Sequence, residues 1–125
     1  MRILALGFAL IVLASCDRAG GDADVRRAAL AFLDAVRRDD GAAACAVLAP
    51  RAAASLETCP QEVTGLGLQA GPITTAQVWG DRAQVRIRAG GGNTLFLARF
   101  PSGWKVTGAG CAPRPRGPYD CDVAA

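Results

Sequence analysis

The chain has 125 residues, of which 51% are hydrophobic, 20% charged and 6% aromatic, with a formal net charge of +3. That length suits one domain, and a domain of this size buries a modest core that gains from covalent restraint. The small, dispersed basic excess does not argue for the clustered cationic face of nucleic-acid binders, and the absence of histidine removes the commonest general base, proton shuttle and zinc ligand together.

Arg2 opens the chain, and residues 3–13 form an apolar run. The run has the length of a signal-peptide core and falls short of the roughly 20 residues that cross a bilayer. Leu13-Ala14-Ser15-Cys16 follows and resembles the lipobox of bacterial lipoproteins. The resemblance implies that the Cys16 thiol receives diacylglycerol and that cleavage then makes Cys16 the first residue, carrying palmitate-type chains. Small side chains at Ala14 and Ser15 fit a narrow peptidase site. The thiol is the one nucleophile there that alkylates to a thioether. Two acyl chains hold a protein firmly where one binds reversibly. The competing readings are a secretory signal with a chance cysteine and an uncleaved anchor. The polar, glycine-containing run of residues 17–24 suits a short tether and favours the lipid. Residues 1–15 are therefore expected as signal peptide, 16–21 as tether and 22–125 as an ectodomain on the extracytoplasmic face of the cell membrane.

Five cysteines are an odd number for an exported protein. Assigning Cys16 to lipid leaves Cys45, Cys59, Cys111 and Cys121, which allow three pairings. Proximity in sequence favours Cys45 with Cys59 and Cys111 with Cys121. The first loop would contribute roughly 3 kcal/mol by restricting the unfolded chain. A metal site is the alternative, but no CxxC or histidine accompanies the thiols, and an oxidising exterior favours disulfides.

Residues 22–38 carry Val25, Ala29, Phe32, Leu33 and Val36 at the spacing of one helical stripe. Asp22 and Asp24 at the start and Arg37 and Arg38 at the end complement the helix dipole, and Asp39, Asp40 and Gly41 stop it. Shorter helices are expected at 42–48 and 51–56, with 65–72 as a glycine-rich connection. Beyond Pro72 the period becomes strand-like. Strands are expected at 73–79, 82–88, 94–100 and 104–108, joined by turns at Gly80-Asp81, 90–93 and 101–103. The second alternates clearly, with Ala83, Val85 and Ile87 opposite Gln84, Arg86 and Arg88. The proline-containing segment 111–121 reads as an irregular flap stapled at its ends.

Helices first and hairpin-linked strands afterwards predict an α+β fold of about four antiparallel strands. The helical stripe, Val78-Trp79-Gly80-Asp81-Arg82-Ala83-Gln84-Val85 and the ending Gly103-Trp104-Lys105-Val106 resemble a small NTF2-like (cystatin-like) domain. The Pro118-Tyr119-Asp120-Cys121 ending is similar to that of uncharacterised actinobacterial lipoproteins. The resemblance implies a curved sheet wrapping the first helix into a cone. Enzymes of that type, such as ketosteroid isomerases and polyketide cyclases, work by acid–base chemistry inside the cone.

Here the positions expected to face inward are Ala, Val, Ile, Leu, Phe and Trp, and Asp34 is expected on the solvent side of its helix. No carboxylate is expected in the burial that tunes a catalytic pKa. Trp79 and Trp104 suit a cavity wall or, as the plainer reading, core packing and a sheet end. Arg82, Arg86 and Arg88, with Arg99 near them, form a basic stripe facing solvent, anionic lipid headgroups or an acidic partner. Tyr119 joins them as a candidate contact residue. Gly90-Gly91-Gly92 lacks the Gly-Lys-Ser/Thr of a phosphate loop and reads as a hairpin turn. The expectation is a non-enzymatic interaction module without cofactor or metal, meeting the membrane through Cys16 and an envelope protein through its surface. The alternative is a carrier holding an apolar ligand or lipid among Phe32, Leu97 and Trp104.

Overall fold

The computed structural model describes residues 20–124. The signal-peptide segment, Cys16 and the first part of the tether lie outside the described residues. The fold is α+β. Four helices, α1 (Gly20–Arg37), α2 (Gly41–Val47), α3 (Pro50–Ala54) and α4 (Cys59–Gly65), precede five strands. The strands are β1 (Ile73–Trp79), β2 (Arg82–Ile87), β3 (Thr94–Phe100), β4 (Gly103–Cys111) and β5 (Val123–Ala124). They form one open antiparallel sheet in the order β1-β2-β3-β4-β5.

Helix α1 buries Val25, Ala29, Phe32 and Leu33, with Val36 partly covered, so the apolar stripe is its packed face. Its outer face carries ion pairs one turn apart, Arg26 with Asp22 at 3.2 Å and Arg38 with Asp34 at 2.9 Å. The helix starts at Gly20, inside the segment read as tether. It ends in a Schellman motif. Asp39 takes φ 53°, a left-handed conformation that Asp tolerates better than most side chains. The Asp40 N–H donates to Ala35 O at 2.9 Å and the Asp39 N–H to Val36 O at 3.1 Å. Asp40 then accepts from the Ala43 N–H at 3.1 Å, capping α2.

Helix α4 was not expected. Cys59 opens it, so the Cys45–Cys59 bridge clamps α2 to α4. The two helices approach so closely that a Cβ on Gly41 would run into the Pro60 carbonyl. Only a glycine gives that approach.

Ala83, Val85 and Ile87 of β2 face the core beside Leu95 and Leu97 of β3 and Val106 of β4. The chain between α2 and α3 runs along the far edge of β4, where Ala49 N–H donates to Val106 O at 2.7 Å. Further along that edge β5 pairs with Gly108 and Ala109. The sheet thus has five strands where about four are expected, and β4 runs to Cys111 rather than 108. The fifth strand follows from the tail folding back, since Val123 buries and gives Gly108 and Ala109 a partner, while the end of β4 is held by Cys111 pairing with Thr94 of β3. At the opposite edge of the sheet, β1 has no further neighbour among the described residues.

Candidate functional site

Alternation along a strand puts half its side chains on the sheet face away from α1. On β2 these are Arg82, Gln84 and Arg86. On β3 the register sets Ala98 beside Arg82 and Phe96 beside Gln84. Phe100 follows on the same face, and Trp79 of β1 pairs with Arg82. This outer face is therefore apolar along β3 and basic along β2.

The tail folds back onto it. Ala112 and Asp120 exchange backbone hydrogen bonds of 2.8 and 2.9 Å, and Cys111–Cys121 closes the same end. The loop between them delivers Tyr119, whose ring meets Phe96 edge-on with centroids 5.0 Å apart, a favoured aromatic geometry. Gln84 Nε2 donates to Tyr119 Oη at 3.4 Å. Arg114 and Asp120 pair at 3.0 Å outside it.

Between the tail and the start of α3 lies an open groove of about 670 Å³. Trp79, Phe96, Ala98 and Phe100 form its apolar surface, Pro118 and Tyr119 close one side, and Ala49, Pro50 and Arg51 stand on another. Its charged lining residues are Arg51 and Arg82. Trp79 is 57% exposed at its mouth. The nearest carboxylate to Arg82 is Asp81, with Nε and Oδ1 4.0 Å apart and both side chains largely in water.

Of the expected contact residues, Arg82 and Tyr119 meet in this groove. Arg86 lies further along the same face, and Arg88 is exposed beyond the end of β2. Arg99 points to the other side of β3, its guanidinium carbon 6.0 Å from the Trp104 ring centroid. Phe32 and Leu97 are 1% exposed and Trp104 8%. All three belong to the packed core, and of them Leu97 alone also lines the main groove, whose other β3 members lie on the sheet face away from α1. Trp104 also borders a smaller surface cleft with Asp24, Arg27 and Ser102. Phe96, Ala98, Phe100 and Pro118 were missed as groove residues. For the three on β3 the signal was present, because the strand is apolar at both alternating sets of positions from Leu95 to Ala98, the pattern of a strand covered on both faces.

Asp34 sits on the solvent side of α1. A hydrogen bond from Arg37 above all, with partial desolvation opposing it and Arg38 assisting, holds its carboxyl below the ordinary aspartate range. The buried polar residue Thr94 donates to Asn93 Oδ1 at 3.1 Å, and among the described residues no buried side-chain polar atom lacks a partner. Nor do three or more His, Cys, Asp or Glu side chains converge there. No described helix is long and apolar enough to cross a membrane. What the site offers is contact: an aromatic surface with guanidinium groups at its margin. No family model matches the chain, and no curated protein or solved structure is significantly similar to it.

Proposed function

We propose that the chain is an envelope lipoprotein, anchored on the extracytoplasmic face of the cell membrane through diacylglycerol on Cys16, whose domain is a non-enzymatic binding module. The observation that carries this is the outer-face groove, an aromatic and proline-lined surface with Arg51 and Arg82 as its charged members. Exposed apolar patches edged by polar groups mark interaction sites. The tail disulfide supports the same reading, since it fixes Tyr119 over Phe96 and gives the groove a wall. An NTF2-like cone belongs to the proposal. Register shifts between Thr94 and Leu97 bend the sheet, and α1 packs on the face opposite the groove.

The second reading is a carrier of a small apolar ligand. The groove volume favours it, being within the range of about 300–1,000 Å³ typical of ligand sites. Its seat would be the outer groove, which Leu97 also lines, because Phe32 is packed over.

Labelled palmitate should enter the full chain and fail to enter Cys16→Ser. For the groove, a photoreactive residue at Thr107, which lines it, is compared in native envelopes with one at the exposed Ala42 of α2. The expected result is an adduct from position 107 alone, lost in Arg82→Glu. Equal labelling from both positions would sink the binding-module reading.

A further inference from the structure

We infer that the occupant of the groove is the anionic lipid leaflet that holds the Cys16 anchor, met by Trp79 and Phe100 with Arg82 and Arg51 on its phosphates. This rests on the reading of Cys16 as the anchor and of the groove as the binding site, and it names the partner.

The first argument is reach. From Cys16 to Gly21 the chain spans at most about 18 Å, whatever its conformation. A methyl on Gly21 would lie 3.7 Å from Val78 Cγ1, and the next residue of β1 is Trp79 at the mouth of the groove. Anchor and mouth therefore share one end of the domain. A domain of this size is about 30 Å across, so the leash keeps this end at the bilayer and leaves the far end out of reach.

The second argument is chemistry. Trp79 is 57% exposed, and an indole ring, apolar with one polar N–H, settles at the headgroup level of a membrane. Phe100, which also lines the groove, adds apolar area without a polar group. The third is charge. Arg51 and Arg82 carry the lining charge. Asp81 near Arg82 is the opposing carboxylate, separated from it by 4.0 Å. Each guanidinium near an anionic surface strengthens contact about fivefold. Because the anchor already holds the domain at the surface, docking is intramolecular and even weak contacts are populated.

The test uses the full lipidated protein in vesicles of phosphatidylcholine alone or with about one-third phosphatidylglycerol. Brominated lipid reports contact through quenching of Trp79, taken as the difference between the protein and Trp79→Phe. Oxidative footprinting of Trp79, read by mass spectrometry, reports access to water and works equally in native envelopes. The expected result is severalfold stronger bromolipid quenching and footprint protection with phosphatidylglycerol, falling to the phosphatidylcholine level in Arg51→Ser/Arg82→Ser and at high salt. Two outcomes overturn the inference. Trp79 open to oxidant in vesicles yet protected in native envelopes refutes the lipid and leaves the groove with a protein occupant. Trp79 open in both refutes the groove as a binding site as well.

Discussion

Replacing Phe32 by alanine separates a filled core from a ligand-holding cone. The ring is 1% exposed and belongs to the same core cluster as Val63, Leu97 and Val106. Burying an aromatic side chain removes at least about 150 Å² from water, or roughly 4 kcal/mol at about 25 cal/mol per Å². Alanine keeps part of that, and the space left behind adds a cavity cost, so the expected loss is about 3–5 kcal/mol. That is a large share of the roughly 5–15 kcal/mol that holds a small domain folded. The assay is urea unfolding of oxidised, soluble Cys16→Ser protein with and without the substitution. With a denaturant slope of about 2 kcal/mol/M, the midpoint should fall by about 2 M. A fall below about 0.5 M, near 1 kcal/mol, would show that the ring already borders empty space. The packed-core description of Phe32 would then be wrong, and the space between α1 and the sheet would regain its place as a ligand site.

Gly41→Ala forces a Cβ against the Pro60 carbonyl and should cost about 1–3 kcal/mol, whereas Gly65→Ala, with nothing near its Cβ, should be neutral or stabilising by up to about 1 kcal/mol; paired unfolding curves check both. Removing the tail bridge as Cys111→Ala/Cys121→Ala should cost about 3 kcal/mol and speed proteolysis between residues 112 and 120, and unchanged cleavage would show that Tyr119 and β5 hold the flap unaided. Asp34 should titrate below the ordinary aspartate value and move up in Arg37→Ala, followed by carboxyl-carbon NMR. Because folding lowers this pKa, its contribution is present above the unfolded value near about 3.9 and is lost as pH falls through the folded one.

The sequence pattern locates β1 and β3 to the residue, since each is bounded by turn or glycine signals that no helix would tolerate. It locates the buried stripe of α1 equally well, because a long amphipathic helix repeats its signal over several turns. Helix α4 escapes because it is short and buries only Val63 fully. Its start signals were nevertheless there, with Pro60 in the first turn and Glu62 near Thr58. Strand β5 is different. Val123-Ala124 carries no period at all, and it becomes a strand only because the tail returns to β4. The groove was half legible. Arg82, Arg86 and Arg88 read as a basic stripe facing solvent or a partner, and of the three Arg82 lines the groove. The apolar half comes from Phe96, Ala98 and Phe100, and its meaning depends on where the tail goes.

The sheet's two edges are protected unequally. Beyond β4, β5 and the Leu48–Ala49 segment occupy the hydrogen-bonding positions. Beyond β1 there is no such cover among the described residues, and Ile-Thr-Thr-Ala-Gln-Val-Trp contains no charge and no proline. Charges and prolines are the usual means of keeping an exposed strand from pairing with another chain. On the proposed anchor at Cys16, molecules crowded in two dimensions would meet in fixed orientation and at high local concentration. The uncharged edge of β1 is therefore where self-association would begin, and a single lysine at Gln77 is the smallest change that would oppose it.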